Sequence, residues 1–118
     1  MRIEYGVQPL CCGIDRIHFV RVRRGSGFTF SCENGRESNG FILLQRGKMR
    51  YTFFHMEKEP SKDLYLETGD VLFIPQGVPY TALYLEDETT ITHARFDLIY
   101  GTLPSVLQEP YVFRLPQN

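Results

Sequence analysis

Gly69-Asp70-Val71-Leu72-Phe73-Ile74-Pro75-Gln76-Gly77-Val78-Pro79-Tyr80 is the stretch on which the fold turns. Gly69 and Asp70 suit a turn into a strand, and Val71 to Ile74 fill that strand with four apolar residues. Pro75, Gly77 and Pro79 then make a rigid corner, because two fixed proline φ angles bracket a residue free to turn. A further strand opens at Tyr80 and runs to Leu85.

Outward from this corner the chain repeats one signal, short β-type runs broken by turn residues. On the N-terminal side these are Ile17 to Val22, Phe28 to Phe30, Phe41 to Leu44 and Met49 to Phe54, then Leu64 to Leu66. Gly25, Gly27, Asn34, Gly35, Asn39 and Gly40 punctuate the first three, and Arg46-Gly47-Lys48 suits a hairpin before the fourth. Lys58 to Asp63 reads as a polar loop, while Thr89 to Leu98 and Tyr111 to Leu115 complete the strands. Pro104 and Pro110 leave room for one short helical stretch, around Ser105 to Glu109. The pattern predicts an all-β sandwich or barrel with at most one short helix, since closing a sheet removes exposed edges.

With 118 residues, 42% hydrophobic and 14% aromatic, the chain has material for a single packed core, so residues 1–118 read as one domain. Thirteen Lys and Arg against 14 Asp and Glu give no general pull toward phosphate backbones or acidic lipid, which argues against nucleic-acid or membrane binding by this segment. The longest apolar runs are far too short to span a bilayer, and the Met1-Arg2-Ile3-Glu4 start has no signal-peptide apolar stretch. A cytoplasmic location is the expectation. Cys11, Cys12 and Cys32 form neither an even disulfide framework nor a CxxC knuckle, so reduced thiols are expected.

The run from Gly69 to Tyr80 resembles the second cupin motif, a glycine, five residues, then Pro-x-Gly-x-x-His. The resemblance implies a jelly-roll barrel of the double-stranded β-helix type. Tyr80 stands at that motif's metal-binding histidine and Tyr84 at its asparagine. With Gly47 as the last glycine of the first cupin motif, Gly40 takes the glutamate position, and the histidine pair falls at Asn34 and Arg36. A transition-metal site needs three or four imidazole, thiolate or carboxylate donors converging on one point. None is present at these positions, so neither a metal nor another cofactor is expected. His18, His55 and His93 lie on separate runs without ligand spacing.

From Gly40 to about Leu98 the arrangement is similar to the ligand-binding domain of AraC-type transcription regulators, which use a metal-free cupin barrel to sense effectors. This implies a small-molecule effector such as a sugar, and a helical dimerisation segment and paired helix-turn-helix motifs lying outside residues 1–118. A homodimer would fit, with Phe53, Phe54 and Tyr65 as candidate surface aromatics. DNA contact would belong to the missing domain.

Residues two apart on a strand share a face. An inward Tyr80 carries Ala82 and Tyr84 inward, and an inward Gly40 carries Ile42, Leu44 and Arg46. Arg46 then has two readings: a guanidinium fork for a ligand hydroxyl or carboxylate, or an exposed hairpin arginine. The regulator resemblance implies the former, and implies a mouth position for His93. His93 is otherwise a half-buried strand histidine bonded to backbone. Tyr51, Tyr80 and Tyr84 complete the ligand-binding candidates, each open to reading as a core or rim aromatic with one polar tip. Arg36 and Arg95 rank lower, as exposed strand arginines.

No catalytic residue is assigned, because no acid and base pair at strand-compatible spacing. The enzyme alternative is a metal-free isomerase or epimerase working through His93, Tyr80 or His55.

Overall fold

A computed structural model describes residues 12–54, 60–101 and 107–114. These residues form nine strands in two antiparallel sheets. The five-stranded sheet has the order β1 (Cys12–Arg24), β8 (Thr89–Gly101), β3 (Asn39–Arg46), β6 (Val71–Ile74) and β9 (Tyr111–Phe113). The four-stranded sheet runs β2 (Thr29–Cys32), β7 (Tyr80–Tyr84), β4 (Lys48–Phe54) and β5 (Ser61–Glu67). Only β4 and β5, and β8 and β9, are consecutive strands within one sheet; every other connection crosses between sheets, as in a jelly roll. Among the described residues no helix is long and apolar enough to cross a membrane.

Period-two alternation explains the assembly. In β4, Met49, Tyr51 and Phe53 are buried while Lys48, Arg50, Thr52 and Phe54 are exposed or half-buried, so one face meets the core. β7 does the same with Tyr80, Ala82 and Tyr84, and β3 with Ile42 and Leu44. These side chains join Leu66, Leu72, Ile74 and Ile91 in one cluster drawn from both sheets. On the opposite face of the larger sheet, Phe41, Phe73 and Phe96 form a separate aromatic group, with centroids 5.1–6.3 Å apart.

Several local expectations are corrected. Arg46-Gly47-Lys48 is a corner between sheets and not a paired hairpin, because β3 and β4 belong to different sheets. Ser61 to Asp63 pair with Phe54 to Thr52 and so extend β5 into the expected polar loop. Phe53 faces the core and offers no surface, whereas Tyr65 is exposed. The helix expected at Ser105 to Glu109 begins outside the described residues, as does His55, and Leu115 lies beyond the described part of β9.

The corner from Pro75 to Pro79 is pinned at three points. Gln76 N–H donates to Asn39 Oδ1 at 2.8 Å, Gly77 N–H to the Arg36 carbonyl at 2.9 Å, and Phe54 N–H to the Pro79 carbonyl at 3.0 Å. It therefore holds the 33–38 loop, which leaves β2, against the start of β7.

Candidate functional site

Strand register builds the site. β2 pairs with β7 so that Cys32 lies opposite Tyr80, and the chain then turns through residues 33–38 before entering β3. Across the barrel, β8 brings His93 opposite Ile42 and Arg95 opposite Gly40, and parity with the buried Ile91 turns both His93 and Arg95 to the inner face. At this end of the barrel Arg36 joins the two sheets. One guanidinium nitrogen, Nη1, donates to the Tyr80 hydroxyl at 3.0 Å, and the other, Nη2, lies 3.2 Å from His93 Nδ1.

A guanidinium only donates, so His93 Nδ1 must accept and the ring proton resides on Nε2. Burial first, then the charges of Arg36 and Arg95, lowers the His93 pKa from 6.5 to about 4. The imidazole is therefore neutral at physiological pH. His93 Nε2 and Arg36 Nε are both buried without a hydrogen-bond partner. Position 40 is glycine for a steric reason: a Cβ there would lie 2.9 Å from His93 Nε2 and 3.3 Å from the Ala94 carbonyl oxygen. The imidazole occupies the space a side chain would need.

Beside Arg36 opens a pocket of about 250 Å³. Phe30 and Cys32 of β2, residues 35–38 of the loop, Tyr80 and Arg95 line it. Burial raises the Tyr80 pKa, opposed by the Arg36 charge and hydrogen bond, so the phenol stays protonated at neutral pH.

Among the sequence candidates, Tyr80 and His93 meet through Arg36, and the Tyr51 ring lies tilted 5.8 Å from that of Tyr80. Tyr51 and Tyr84 are core residues, 1% and 4% exposed. Burial, followed by the neighbouring tyrosines, pushes the Tyr51 hydroxyl well above its ordinary value. Tyr84 packs edge-on against Phe28 at 5.6 Å, and burial raises its pKa as well.

Arg46 stands apart and does not take the inward position that parity implies. A register shift between Leu44 and Arg46 displaces it, and its guanidinium pairs with Glu88 at 3.2 Å with both side chains largely exposed. Arg36, ranked low as a strand arginine, lies in the loop after β2 and is half-buried. The usable sequence signal was its place in the first cupin motif, four residues before Gly40.

No protein-family model and no curated protein matches this sequence. Solved structures do. A tryptophan-to-tyrosine variant of the oxalate decarboxylase of Bacillus subtilis superposes with a TM-score of 0.61 at 20% identity, over 72% of this chain and 22% of that one. A deletion mutant of the same enzyme gives 0.60 at 20% identity, over 73% and 22%. The enzyme at pH 4.6 gives 0.60 at 20% identity, over 72% and 22%. This is a cupin fold. The chain spans about a fifth of the length of these structures, and at such identity the likeness is one of fold.

The cupin metal positions can be tested against the side chains that fill them. Arg36 is a permanent cation that only donates hydrogen bonds, Gly40 has no donor and no room for one, and Tyr80 is a protonated phenol already bonded to Arg36. This arrangement does not fit a divalent cation. Among the described residues no other cluster of three His, Cys, Asp or Glu side chains could hold one.

The neutral, half-buried His93 makes stability depend on pH. Its folded pKa of about 4 lies below the unfolded value near 6.5, so between these values the unfolded chain binds the extra proton. Stability is fully present above about pH 6.5 and is lost as pH falls toward 4. After discounting for the ring's partial exposure the loss is about 1–2 kcal/mol. Urea unfolding at pH 7 and pH 5 should show this fall in wild type and not in His93→Gln. Equal slopes in the two proteins would place the titration elsewhere.

Proposed function

We propose that this cupin barrel is a small-molecule-binding module, the effector-sensing domain of an AraC-type transcription regulator, whose ligand enters beside Arg36. One observation carries the reading: a half-buried guanidinium, fixed by Tyr80 and His93, lines a pocket with N–H donors left on its Nη nitrogens. Convergent polar groups at a concave, partly aromatic site are what a ligand pocket needs. Arg36, Tyr80, His93 and Arg95 are the contact residues we assign, with Arg46 outside the set.

The protonation states weigh against an isomerase or epimerase. Efficient acid–base catalysis needs groups poised near the working pH. His93, lowered to about 4, is a weak base, and Tyr80, shifted upward, is a weak acid.

Two measurements test the reading. A thermal-shift screen of metabolites is expected to find a stabilising ligand, and proton NMR after prolonged incubation should recover it unchanged. Time-dependent conversion by wild type that is lost in His93→Gln would make the chain an enzyme. Sequencing the gene past the Asn118 codon addresses the regulator part. A pair of helix-turn-helix motifs is expected there, and a catalytic domain in that place would overturn the assignment.

A further inference from the structure

We propose that the pocket beside Arg36 takes a small monocarboxylate with an apolar body, its carboxylate held between Arg36 and Arg95. This assignment rests on the binding-module reading and gives that module its ligand class.

Charge supplies the first argument. Arg36 and Arg95 both line the pocket, and neither has a carboxylate partner among the described residues. Two guanidinium groups facing one cavity repel each other unless an anion lies between them. Their planar donor forks match a carboxylate, which can accept from both at once. Each Arg36 Nη nitrogen commits one N–H to Tyr80 or His93 and keeps a second to donate. Arg95, opposite Gly40 on the inner face, is exposed and lines the same pocket.

The net charge selects a monoanion. Glu37 also lines the pocket, and His93 is neutral beside it. Two cations and one carboxylate leave a single positive charge to neutralise. A phosphate dianion would overshoot that balance and meet Glu37, whereas one carboxylate closes it. A neutral sugar would leave the arginine pair uncompensated.

The remaining walls set the body of the ligand. Phe30 is largely exposed although it lies on the inner face, tilted 6.1 Å from the Tyr80 ring, and Cys32 sits beside it. These side chains offer an apolar, flat surface with a weakly polar thiol, and the lining hydroxyls are those of Ser38 and of Tyr80, the latter already bonded to Arg36. At about 250 Å³ the pocket lies below the usual range for drug-sized ligands, so the body is small, of the size of one ring or a short alkyl chain.

Calorimetric titration at pH 7 with benzoate, hexanoate, benzamide, inorganic phosphate and D-ribose tests this. At least one of the two carboxylates is expected to bind, benzoate at least about tenfold more tightly than its neutral isostere benzamide if it is the one, and phosphate more weakly than either. Arg95→Gln, an exposed position where folding is not at risk, should weaken carboxylate binding about tenfold or more. Arg36→Gln should do so more strongly, with circular dichroism confirming the fold. Equal binding of benzoate and benzamide, preference for phosphate, or an unchanged affinity in Arg95→Gln would overturn the assignment. Binding of ribose without either carboxylate would overturn it too, while leaving the binding-module reading intact. Failure of every probe, with no hit from the metabolite screen, would remove both.

Discussion

Alanine at Gly35 is expected to destabilise the domain by on the order of 2–5 kcal/mol and to abolish ligand binding at Arg36. Gly35 has φ +76°, a left-handed conformation that costs an L-residue roughly 1–2 kcal/mol. The larger penalty is steric. A Cβ on Gly35 would collide with the main chain of Gly77, meeting its carbonyl carbon and oxygen and lying 2.7 Å from its Cα. Backbone cannot rotate away as a side chain can, so the 33–38 loop must lift off the corner. That movement breaks the 2.9 Å hydrogen bond from Gly77 N–H to the Arg36 carbonyl and carries the guanidinium away from Tyr80. Gly77→Ala is the control. Gly77 also has a positive φ, of 86°, but its Cβ would meet nothing within 4 Å, so only the conformational cost remains. Urea denaturation of both variants should rank Gly35→Ala well below Gly77→Ala. Equal losses would mean that the loop gives way easily and that its close approach to the corner does not set the position of Arg36.

Phe53→Ala should cost about 3–5 kcal/mol, the usual range for emptying a fully buried phenylalanine site. Phe53 is 0% exposed and forms a triangle with the Tyr51 and Tyr80 rings, at 6.1 and 5.7 Å. Facing residues on paired strands support each other, and Phe53 is the direct partner of Tyr80 across β4 and β7. Its removal leaves a void under Tyr80, and the phenol can settle inward, away from Arg36. Phe53→Leu keeps most of the volume and should lose less than half as much stability. The measurement is again chemical denaturation, paired with titration of a bound ligand. A loss under about 1 kcal/mol for Phe53→Ala would show that the sheets close the gap and that Tyr80 does not depend on this contact.

The fold was legible because alternation and turn residues carry most of it. The run Val71 to Ile74 appears in the structure with its expected bounds, and Met49 to Phe54 and Tyr80 to Leu85 differ from the observed strands by one residue. What the pattern could not carry was which strands pair. Arg46-Gly47-Lys48 looks like a hairpin locally, yet long-range packing sends β4 to the other sheet.

The site was legible only in part, for related reasons. The cupin motif places Tyr80 inward and the regulator resemblance places His93 at the mouth, and the observed strand registers put both on the inner face. Arg46 fails because parity presumes an uninterrupted ladder, and the irregularity after Leu44 resets it. Arg36 was undervalued because it sits in a loop, where alternation says nothing about direction. Its orientation comes from a backbone hydrogen bond to a corner about forty residues away in sequence, a contact that no local pattern encodes.

The close fit of His93 over Gly40 also constrains the order in which this barrel can change. Any side chain introduced at position 40 while His93 is present meets an imidazole that is itself held by Arg36, so the first substitution is penalised whatever its chemical merit. Shrinking position 93 beforehand removes the closer of the two contacts and leaves only the Ala94 carbonyl at 3.3 Å, so the same replacement at position 40 is penalised less. The two sites are epistatic, and a library that varies position 40 alone is biased toward glycine even if a carboxylate there would serve a new chemistry. Paired randomisation of positions 40 and 93 opens the routes that single-site variation closes.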